Sequence, residues 1–258
     1  MKDRHDTKAL AKQALRLAVR VGRAGRRSPS PAKWLKFARD ALRLRKTSDA
    51  SLPLLDLFPM LGEESDAAGV ARGHYFHQDL WAARKVKESQ VAHHVDVGSR
   101  IDGFVAHCSL FTPIDYVDLR PLDGVIPGVR FVQGSVLELP YESGSVMSLS
   151  SLHVIEHIGL GRYGDPIDPR GSERALTELG RVLAHGASLY IGCPIGRERV
   201  CFNAHRVLAP TRVLETLSDL ALVSFSAVDD RGDFVESATP ESFVEADYAC
   251  GLYHLRRA

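Results

Sequence analysis

Short apolar runs alternate with longer segments of mixed polarity over the last two thirds of the chain. Seven of the runs have the length and composition of β-strands, at residues 92–97, 114–119, 130–133, 146–150, 188–192, 222–228 and 248–255. Apolar residues at helical spacing fill 172–183 and 210–220, ahead of the fifth and sixth runs. Strands separated by helices predict right-handed crossovers and a mostly parallel sheet. The last two runs lie too close for a crossover, so we predict an α/β domain with an antiparallel final strand.

The beginning of the chain has a different pattern. Residues 9–21 and 34–44 each combine apolar positions at helical spacing with basic residues, which predicts two amphipathic helices. A segment rich in Gly, Pro and Ser at 22–31 separates them. We therefore predict a basic helical arm over residues 1–46, a connector over 47–73 and the main domain over 74–258.

Charge is divided unevenly between these regions. Residues 1–46 hold fifteen Lys and Arg against three Asp, whereas the remaining 212 residues hold eighteen against twenty-nine Asp and Glu. The basic arm either packs on the body of the same chain or binds an anionic partner, which would be a membrane surface or an acidic protein. The acidic body makes nucleic acid an unexpected partner.

Cysteine spacing and hydropathy indicate the compartment. The four cysteines are far apart and form no C-x-x-C pair, which fits free thiols in a reducing compartment rather than disulfides or a zinc site. No apolar run approaches the roughly 20 residues that span a bilayer. We expect a cytoplasmic protein, and peripheral attachment to the inner membrane surface through the arm is the alternative.

Two strand ends carry residues suited to a nucleoside. The first predicted strand ends in Asp96-Val97-Gly98-Ser99, where Gly98 permits a sharp turn and a close approach of backbone N–H groups to a ligand. The second ends at Asp118, before Leu119, and a carboxylate there can accept hydrogen bonds from both ribose hydroxyls. Ligands of open α/β sheets bind beyond the carboxyl ends of the strands, so we expect these residues to meet.

Two further motifs follow in order. Gly134-Ser135-Val136 comes after the third strand, and the fourth strand runs through Leu152 into Val154-Ile155-Glu156-His157. Together the four motifs resemble the pattern of class I S-adenosylmethionine-dependent methyltransferases. The resemblance implies a Rossmann-like, seven-stranded, mostly parallel sheet with helices on both faces, and S-adenosylmethionine as the cofactor.

The same resemblance assigns the cofactor-binding residues. It implies that the cofactor contacts Asp96, Gly98, Ser99, Asp118, Leu119, Ser135, Val136 and Leu152. A helix from residue 74 is expected to cover the methionine end with Tyr75 and Gln78. The pattern departs from the family at Ser135, where an Asp is frequent, and at Ser99, where a second Gly is frequent.

A glycine motif further along suggests a different ligand. Residues 159–164 match G-x-G-x-x-G, the fingerprint of a nicotinamide-binding Rossmann domain. The motif follows a helix-like stretch and precedes Asp165-Pro166, whereas the fingerprint requires a strand before it and a helix after it. We interpret it as a loop over the active site. Residues 156–169, with 193–196 and 202–207, are similar to a methyltransferase-like family known as domain of unknown function 268.

His153, Glu156 and His157 form H-x-x-E-H, which fits several chemistries. One is an inverted zinc-protease motif, and another is a divalent ion used in methyl transfer. A third is general base catalysis by His157 or His153, since methylation of a hydroxyl requires removal of its proton. Either histidine could instead only cap a helix beside the cofactor. We predict a catalytic pair of this kind without a metal.

Two loops supply the remaining catalytic candidates. Arg162 and Asp165 lie in one loop and His205 in the other, and their mixed polarity suits a sugar or an anionic acceptor. Asp165 before Pro166 also fits a residue that only fixes a turn. We therefore predict O-methylation of a hydroxyl on a polar small molecule or glycan. The alternative is a catalytically silent scaffold that uses the arm to bind a membrane or a glycan-assembly partner.

Overall fold

The computed structural model describes residues 30–47, 57–61 and 67–258. The chain divides into two compact units, Met1–Val70 and Ala71–Ala258. The first contains helix α1 (Pro31–Thr47), which includes the predicted helix at 34–44 and begins with a proline, a residue suited to the first helical position. The predicted helix at 9–21 lies outside the described residues, and the limits of arm and connector stay predictions. Within the described ranges, no helix is both long and apolar enough to cross a membrane.

The second unit is built on a mixed sheet. Its strands are β1 (His94–Val97), β2 (Ile114–Asp118), β3 (Val129–Gln133), β4 (Val146–Leu152), β5 (Leu183–Ile195), β6 (Arg199–Cys201), β7 (His205–Val207), β8 (Leu220–Val228), β9 (Phe234–Val235) and β10 (Ala249–Arg257). Eight of these described strands form one sheet in the order β3-β2-β1-β4-β5-β10-β8-β9, and β6 and β7 form a separate hairpin. Strands β1 to β5 pair in parallel, and β10 runs antiparallel to β5 and β8.

This topology confirms the predicted sheet. All seven predicted strands are present, and the final one is antiparallel as expected. The sequence pattern missed β6, β7 and β9 because strands of two or three residues are too short to show a period. The strand order reverses between β1 and β4, and such a switch point is where open α/β sheets bind ligands.

Helices cover both faces of the sheet. They are α2 (His74–Ser89), a π-helical segment (Ile101–Val105) that runs into α3 (Ala106–Cys108), α4 (Gly171–Val182) and α5 (Arg212–Thr216). One buried cluster joins α4 to the sheet through Leu176, Leu179 and Leu189. The other joins α2 to the opposite face through Trp81 and Tyr190. The helix predicted at 210–220 is shorter than expected.

The H-x-x-E-H segment is not an α-helix. Ile155–His157 is a single 3-10 turn, and His153 before it has a left-handed φ of 56°. The two histidines therefore do not share one helical face, and the zinc-protease interpretation is wrong. The glycine motif at 159–164 lies in a loop between this turn and α4, as interpreted from the sequence. It lacks the preceding strand and the following helix of a nicotinamide-binding fingerprint, so that alternative is wrong.

Candidate active site

The carboxyl ends of β1, β2, β3 and β4 open onto a cleft. One half of it, with a volume of about 670 Å³, is lined by five of the predicted cofactor residues: Gly98, Asp118, Leu119, Ser135 and Val136. We call this part the nucleoside half. The sequence motifs at three different strand ends therefore meet in one place, as the topology requires.

Gly98 shapes the turn at the mouth of the cleft. Its φ of 71° is a conformation that favours glycine, and its N–H donates to the Val117 carbonyl at 2.8 Å. A Cβ at this position would lie 3.1 Å from a methyl group of Val154. A side chain here would both strain the backbone and fill the cleft.

Asp96 supports the turn from behind rather than lining the cleft. Its carboxylate is fully buried and accepts hydrogen bonds from the Ser99 N–H at 3.1 Å, from the Ser99 hydroxyl at 2.6 Å and from Ser150. Burial raises the pKa of Asp96 to about 7, although the hydrogen bonds oppose the rise. Leu152 and Gln78 are also buried and absent from the cleft lining. The structure therefore corrects the direct cofactor contacts predicted for these three side chains.

Asp118 faces the cleft as an ionised carboxylate. Arg120 donates to it from the backbone N–H at 2.8 Å, from Nε at 3.1 Å and from Nη2 at 2.9 Å, and the Tyr116 hydroxyl donates at 3.0 Å. Burial works to raise the pKa of Asp118, but the hydrogen bonds from Arg120 and Tyr116 outweigh it and leave the pKa lowered. A carboxylate has about four lone-pair sites, so these partners fill its accepting capacity.

The segment predicted to hold adenine forms a small turn. The Ser135 hydroxyl accepts the Leu137 N–H at 3.2 Å, and the Glu138 N–H donates to the Ser135 carbonyl at 3.1 Å. The Ser135 side chain is thus engaged in its own turn, while Val136 and Leu137 give this end an apolar lining. Such a lining suits the face of a planar base.

The cleft continues into a second half of about 900 Å³, which we call the acceptor half. Both halves share Gly98, Arg120, His153, His157 and Tyr163 in their linings. The acceptor half adds the predicted residues Tyr75, Ser99, Glu156, Arg162 and His205, together with Arg100 and Tyr248. The structure therefore brings most of the predicted catalytic residues to one place.

Glu156 is the most unusual group in the acceptor half. It is fully buried, and neither carboxylate oxygen has a hydrogen-bond partner among the described residues. Burial raises the pKa of Glu156 to about 8. An unpaired buried carboxyl group costs free energy, so Glu156 at this cleft is a candidate to contact a ligand.

His157 has the geometry of a proton acceptor. Its Nδ1 lies 2.7 Å from the Ala204 carbonyl, which can only accept, and 3.4 Å from Nη1 of Arg162, which can only donate. The shorter contact assigns the hydrogen to Nδ1 in the neutral ring and leaves Nε2 bare. Nε2 lies 3.6 Å from a carboxylate oxygen of Glu156. Burial lowers the pKa of His157 to about 4, so the ring is neutral at pH 7.

His153 is unsuited to the role of a base. Its Nδ1 lies 2.8 Å from Oε1 of Gln78 and its Nε2 lies 3.1 Å from Nδ1 of His74, so both ring nitrogens are engaged beneath the cleft. Of the two histidines predicted as the general base, only His157 therefore remains a candidate.

The loop at 159–169 forms one wall of the acceptor half. Asp165 accepts the Gly159 N–H at 2.6 Å and the Tyr163 N–H at 3.2 Å, so it fixes the loop as a turn residue and is not free for catalysis. Arg206 is buried and donates to carbonyl oxygens of Ile158 and Asp168, which anchors the base of the loop to β7. The pattern gave no signal for this role of Arg206.

A divalent ion on the H-x-x-E-H segment finds too few ligands. Glu156 and His157 lie close together, but no third His, Cys, Asp or Glu of the described ranges places a ligand atom within 4.8 Å of both. His205, whose ring packs 5.0 Å from that of Tyr248, does not complete the set.

Solved structures share this architecture. N-methyltransferase NodS from Bradyrhizobium japonicum WM9, solved with S-adenosyl-L-homocysteine, matches with a TM-score of 0.51 at 12% identity over 87% of this chain and 98% of that chain. The [4+2]-cyclase SpnF matches with a TM-score of 0.51 at 14% identity over 74% and 85% of the two chains. A Galdieria sulphuraria protein provisionally named a sarcosine dimethylglycine methyltransferase matches with a TM-score of 0.50 at 16% identity over 70% and 86%.

The chain thus has the fold of the class I S-adenosylmethionine-dependent methyltransferases. Because a cyclase shares this fold, the architecture by itself does not determine the reaction. In sequence, residues 142–238 match the family described as Caenorhabditis protein of unknown function, DUF268. No curated protein matches the sequence.

Proposed function

We propose that the protein transfers the methyl group of S-adenosylmethionine to a hydroxyl of a polar acceptor, a sugar or glycan by preference. The observation that carries the proposal is one continuous cleft. At one end it has Gly98 and Asp118 at adjacent strand ends, and at the other end Glu156 beside the bare Nε2 of His157. A nucleoside site next to an acid–base pair is what this reaction requires.

The residues of the nucleoside half fit the cofactor. Asp118 is ionised and can accept hydrogen bonds from two ribose hydroxyls once Arg120 gives way, and Val136 offers an apolar surface to the base. The missing side chain at Gly98 leaves room for the C5′ methylene that links the ribose ring to sulfur. The methionine end would then lie towards Ser99 and Tyr75.

His157 supplies the proton-transfer step. Nε2 of His157 would take the proton of the acceptor hydroxyl as the hydroxyl oxygen receives the methyl group, and S-adenosylhomocysteine would be the leaving group. Glu156, 3.6 Å away, would stabilise the resulting imidazolium when its carboxyl group is ionised. Bound S-adenosylmethionine supplies an electrophilic methyl group, and its positive charge would favour the ionised form of Glu156.

The rim of the acceptor half supports a sugar as the acceptor. Tyr163 and Tyr248 present aromatic rings, while Arg162 and His205 present hydrogen-bonding groups on the same half. Flat rings combined with polar groups suit a ligand that has both C–H faces and hydroxyls.

Calorimetry with S-adenosylhomocysteine tests the cofactor site. We expect Asp118→Ala to weaken binding at least about tenfold, because two charge-assisted hydrogen bonds to ribose are lost. Asp123→Ala is the matched control, since Asp123 follows β2 on an exposed loop outside the cleft lining. Equal affinities for the two variants would contradict the proposed site. Incubation with methyl-labelled cofactor and sugar or glycan acceptors then tests the reaction.

A catalytically silent scaffold is the second candidate. Its support is that Arg120 and Tyr116 already fill the hydrogen-bonding capacity of Asp118, and that the Ser135 hydroxyl is used within its own turn. Complete absence of S-adenosylhomocysteine binding would favour this candidate over the enzyme.

The basic arm remains a proposed membrane contact. Its support is the charge of residues 1–46 and the exposed basic side chains of α1. We expect the full chain to sediment with anionic vesicles in low salt, and a chain lacking residues 1–46 to stay in the supernatant. Equal sedimentation would overturn the assignment.

A further inference from the structure

Three potential metal ligands from distant parts of the sequence meet beneath the floor of the cleft. His74 opens α2, His153 follows β4 and Cys250 lies in β10. One ligand atom from each lies within 4.8 Å of the other two. Nδ1 of His74 is 3.1 Å from Nε2 of His153, and Sγ of Cys250 is 4.0 Å from Nδ1 of His153. We call these three residues the His–His–Cys cluster.

Hydrogen bonds on the outer sides of the rings fix the state of the facing nitrogens. Gln78 donates from Nε2 to Asp79 at 3.2 Å, so its Oε1 is an acceptor and Nδ1 of His153 must carry a hydrogen towards it. Nε2 of His74 lies 3.0 Å from the Tyr248 carbonyl and must carry a hydrogen too. In neutral rings, the two nitrogens that face each other are therefore both bare.

Two bare nitrogens at this distance repel unless a cation lies between them. The surroundings are those of a metal-binding histidine pair, because such histidines donate their other N–H to a carbonyl, carboxylate or water and so fix the ring orientation. Gln78 is oriented by its hydrogen bond to Asp79, and Gly192 leaves room for it, since a Cβ there would lie 2.6 Å from its Oε1. The second layer of contacts needed to orient both ligands is thus already present.

We propose that the His–His–Cys cluster binds a zinc-class divalent ion. Two imidazole nitrogens and a sulfur are ligands that Zn²⁺ accepts in tetrahedral sites, with bonds of about 2.1 Å to nitrogen and about 2.3 Å to sulfur. Such bonds place the ligand atoms about 3.4 to 3.6 Å apart. The two nitrogens need to separate slightly, and Cys250, whose Sγ lies 4.0 Å from the outer nitrogen Nδ1 of His153, needs to move towards the two facing nitrogens. Its thiol proton passes to solvent when the metal–sulfur bond forms.

The site has an open coordination position and a route of entry. Three protein ligands leave the fourth position of a tetrahedron for water or another ligand. His153 lines both halves of the cleft, so an ion can reach the cluster from there. The proposal differs from the expectation of a metal-free protein with unligated thiols, and it does not depend on methyl transfer.

Metal titration of the full-length, untagged and metal-stripped protein tests the proposal. We expect one equivalent of Zn²⁺ to bind, in competition with a chromophoric chelator, and Co²⁺ to give the near-ultraviolet absorption of a cobalt–thiolate bond. Cys250→Ser should abolish that absorption and weaken Zn²⁺ binding at least tenfold. Cys108→Ser, which changes another buried thiol, should leave both unchanged.

His74→Ala provides a second variant at a partly exposed position at the start of α2, where the substitution should not prevent folding. It should also weaken Zn²⁺ binding at least tenfold while circular dichroism stays unchanged. The proposal would be overturned if the wild type bound less than one equivalent of Zn²⁺. It would also be overturned if both variants, Cys250→Ser and His74→Ala, bound Zn²⁺ as tightly as the wild type does. Binding of S-adenosylhomocysteine is measured on the same samples, so failure of the metal site is distinguished from failure of the cofactor site.

Discussion

In the nucleoside half of the cleft, Asp118 accepts four hydrogen bonds, whereas Glu156 in the acceptor half accepts none from the described residues. The pKa of Asp118 is accordingly lowered by its partners, and that of Glu156 is raised to about 8 by burial. The hydrogen bonds of Asp118 are already completed by groups of the protein itself. The other carboxylate is left for a ligand to complete, so recognition of the acceptor is expected to depend on Glu156 and its neighbour His157.

The largest effect on activity is expected from removing Nε2 of His157, the bare nitrogen in the acceptor half. His157→Ala should lower kcat for a hydroxyl acceptor by about 10²- to 10⁴-fold, the usual contribution of a general base. Binding of S-adenosylhomocysteine should change little, because Gly98, Asp118 and Val136, the proposed contacts to the nucleoside, are unchanged. Single-turnover kinetics with labelled cofactor measures the step, and His107→Ala, on the exposed side of α3, is the control. An unchanged kcat would remove His157 from the mechanism.

The unpaired carboxyl group should also make stability depend on pH. The pKa of Glu156 is raised from an ordinary 4.5 to about 8 in the folded protein, so between these values the folded state keeps a proton that the unfolded chain has lost. The stabilisation is complete below about pH 4.5 and is lost as the pH rises through 8. Relative to Glu156→Gln, the wild type should lose up to about 1.4 kcal/mol per pH unit in this window.

Urea unfolding at pH 5 and pH 8 measures this difference. Asp96 has a raised pKa as well, so the comparison must be made between wild type and variant at each pH. Glu142→Gln, at an exposed position, should leave the pH dependence unchanged. Parallel curves for wild type and Glu156→Gln would show that Glu156 has a partner in the folded protein.

The nucleoside half was largely predictable from sequence, and the reason is local. Gly98 and Asp118 are placed by the ends of their own strands, and an apolar run marks where a strand ends. The inward orientation of the Asp96 side chain, away from the cleft, was not predictable in the same way. Its carboxylate turns inward, where Ser150, 54 residues away on the neighbouring strand β4, donates to it.

The acceptor half depends even more on distant contacts. The pattern placed Glu156 and His157 at the end of β4, but the orientation of His157 comes from the Ala204 carbonyl in the hairpin of β6 and β7. Those short strands have no sequence signal. The cluster of His74, His153 and Cys250 joins positions from three distant segments, and spacing along the chain cannot reveal it.

The smallest expected effect tests how easily the ribose hydroxyls displace Arg120 from Asp118. Arg120 holds Asp118 in a two-pronged contact, yet more than half of its side chain is exposed, and such surface ion pairs contribute about 0 to 1 kcal/mol. The ribose hydroxyls must displace it. Arg120→Ala should therefore tighten binding of S-adenosylhomocysteine by up to about fivefold, as measured by calorimetry.

Arg130→Ala is the matched control, because Arg130 forms a similar pair with Asp115 outside the cleft lining and should leave affinity unchanged. The guanidinium of Arg120 also lies 4.8 Å from the ring centre of Tyr163, so its release would free one contact of the loop at 159–169. Weaker binding in Arg120→Ala would instead mean that Arg120 contacts the cofactor itself. The nucleoside half would then be completed by its ligand, and the contrast with Glu156 would be lost.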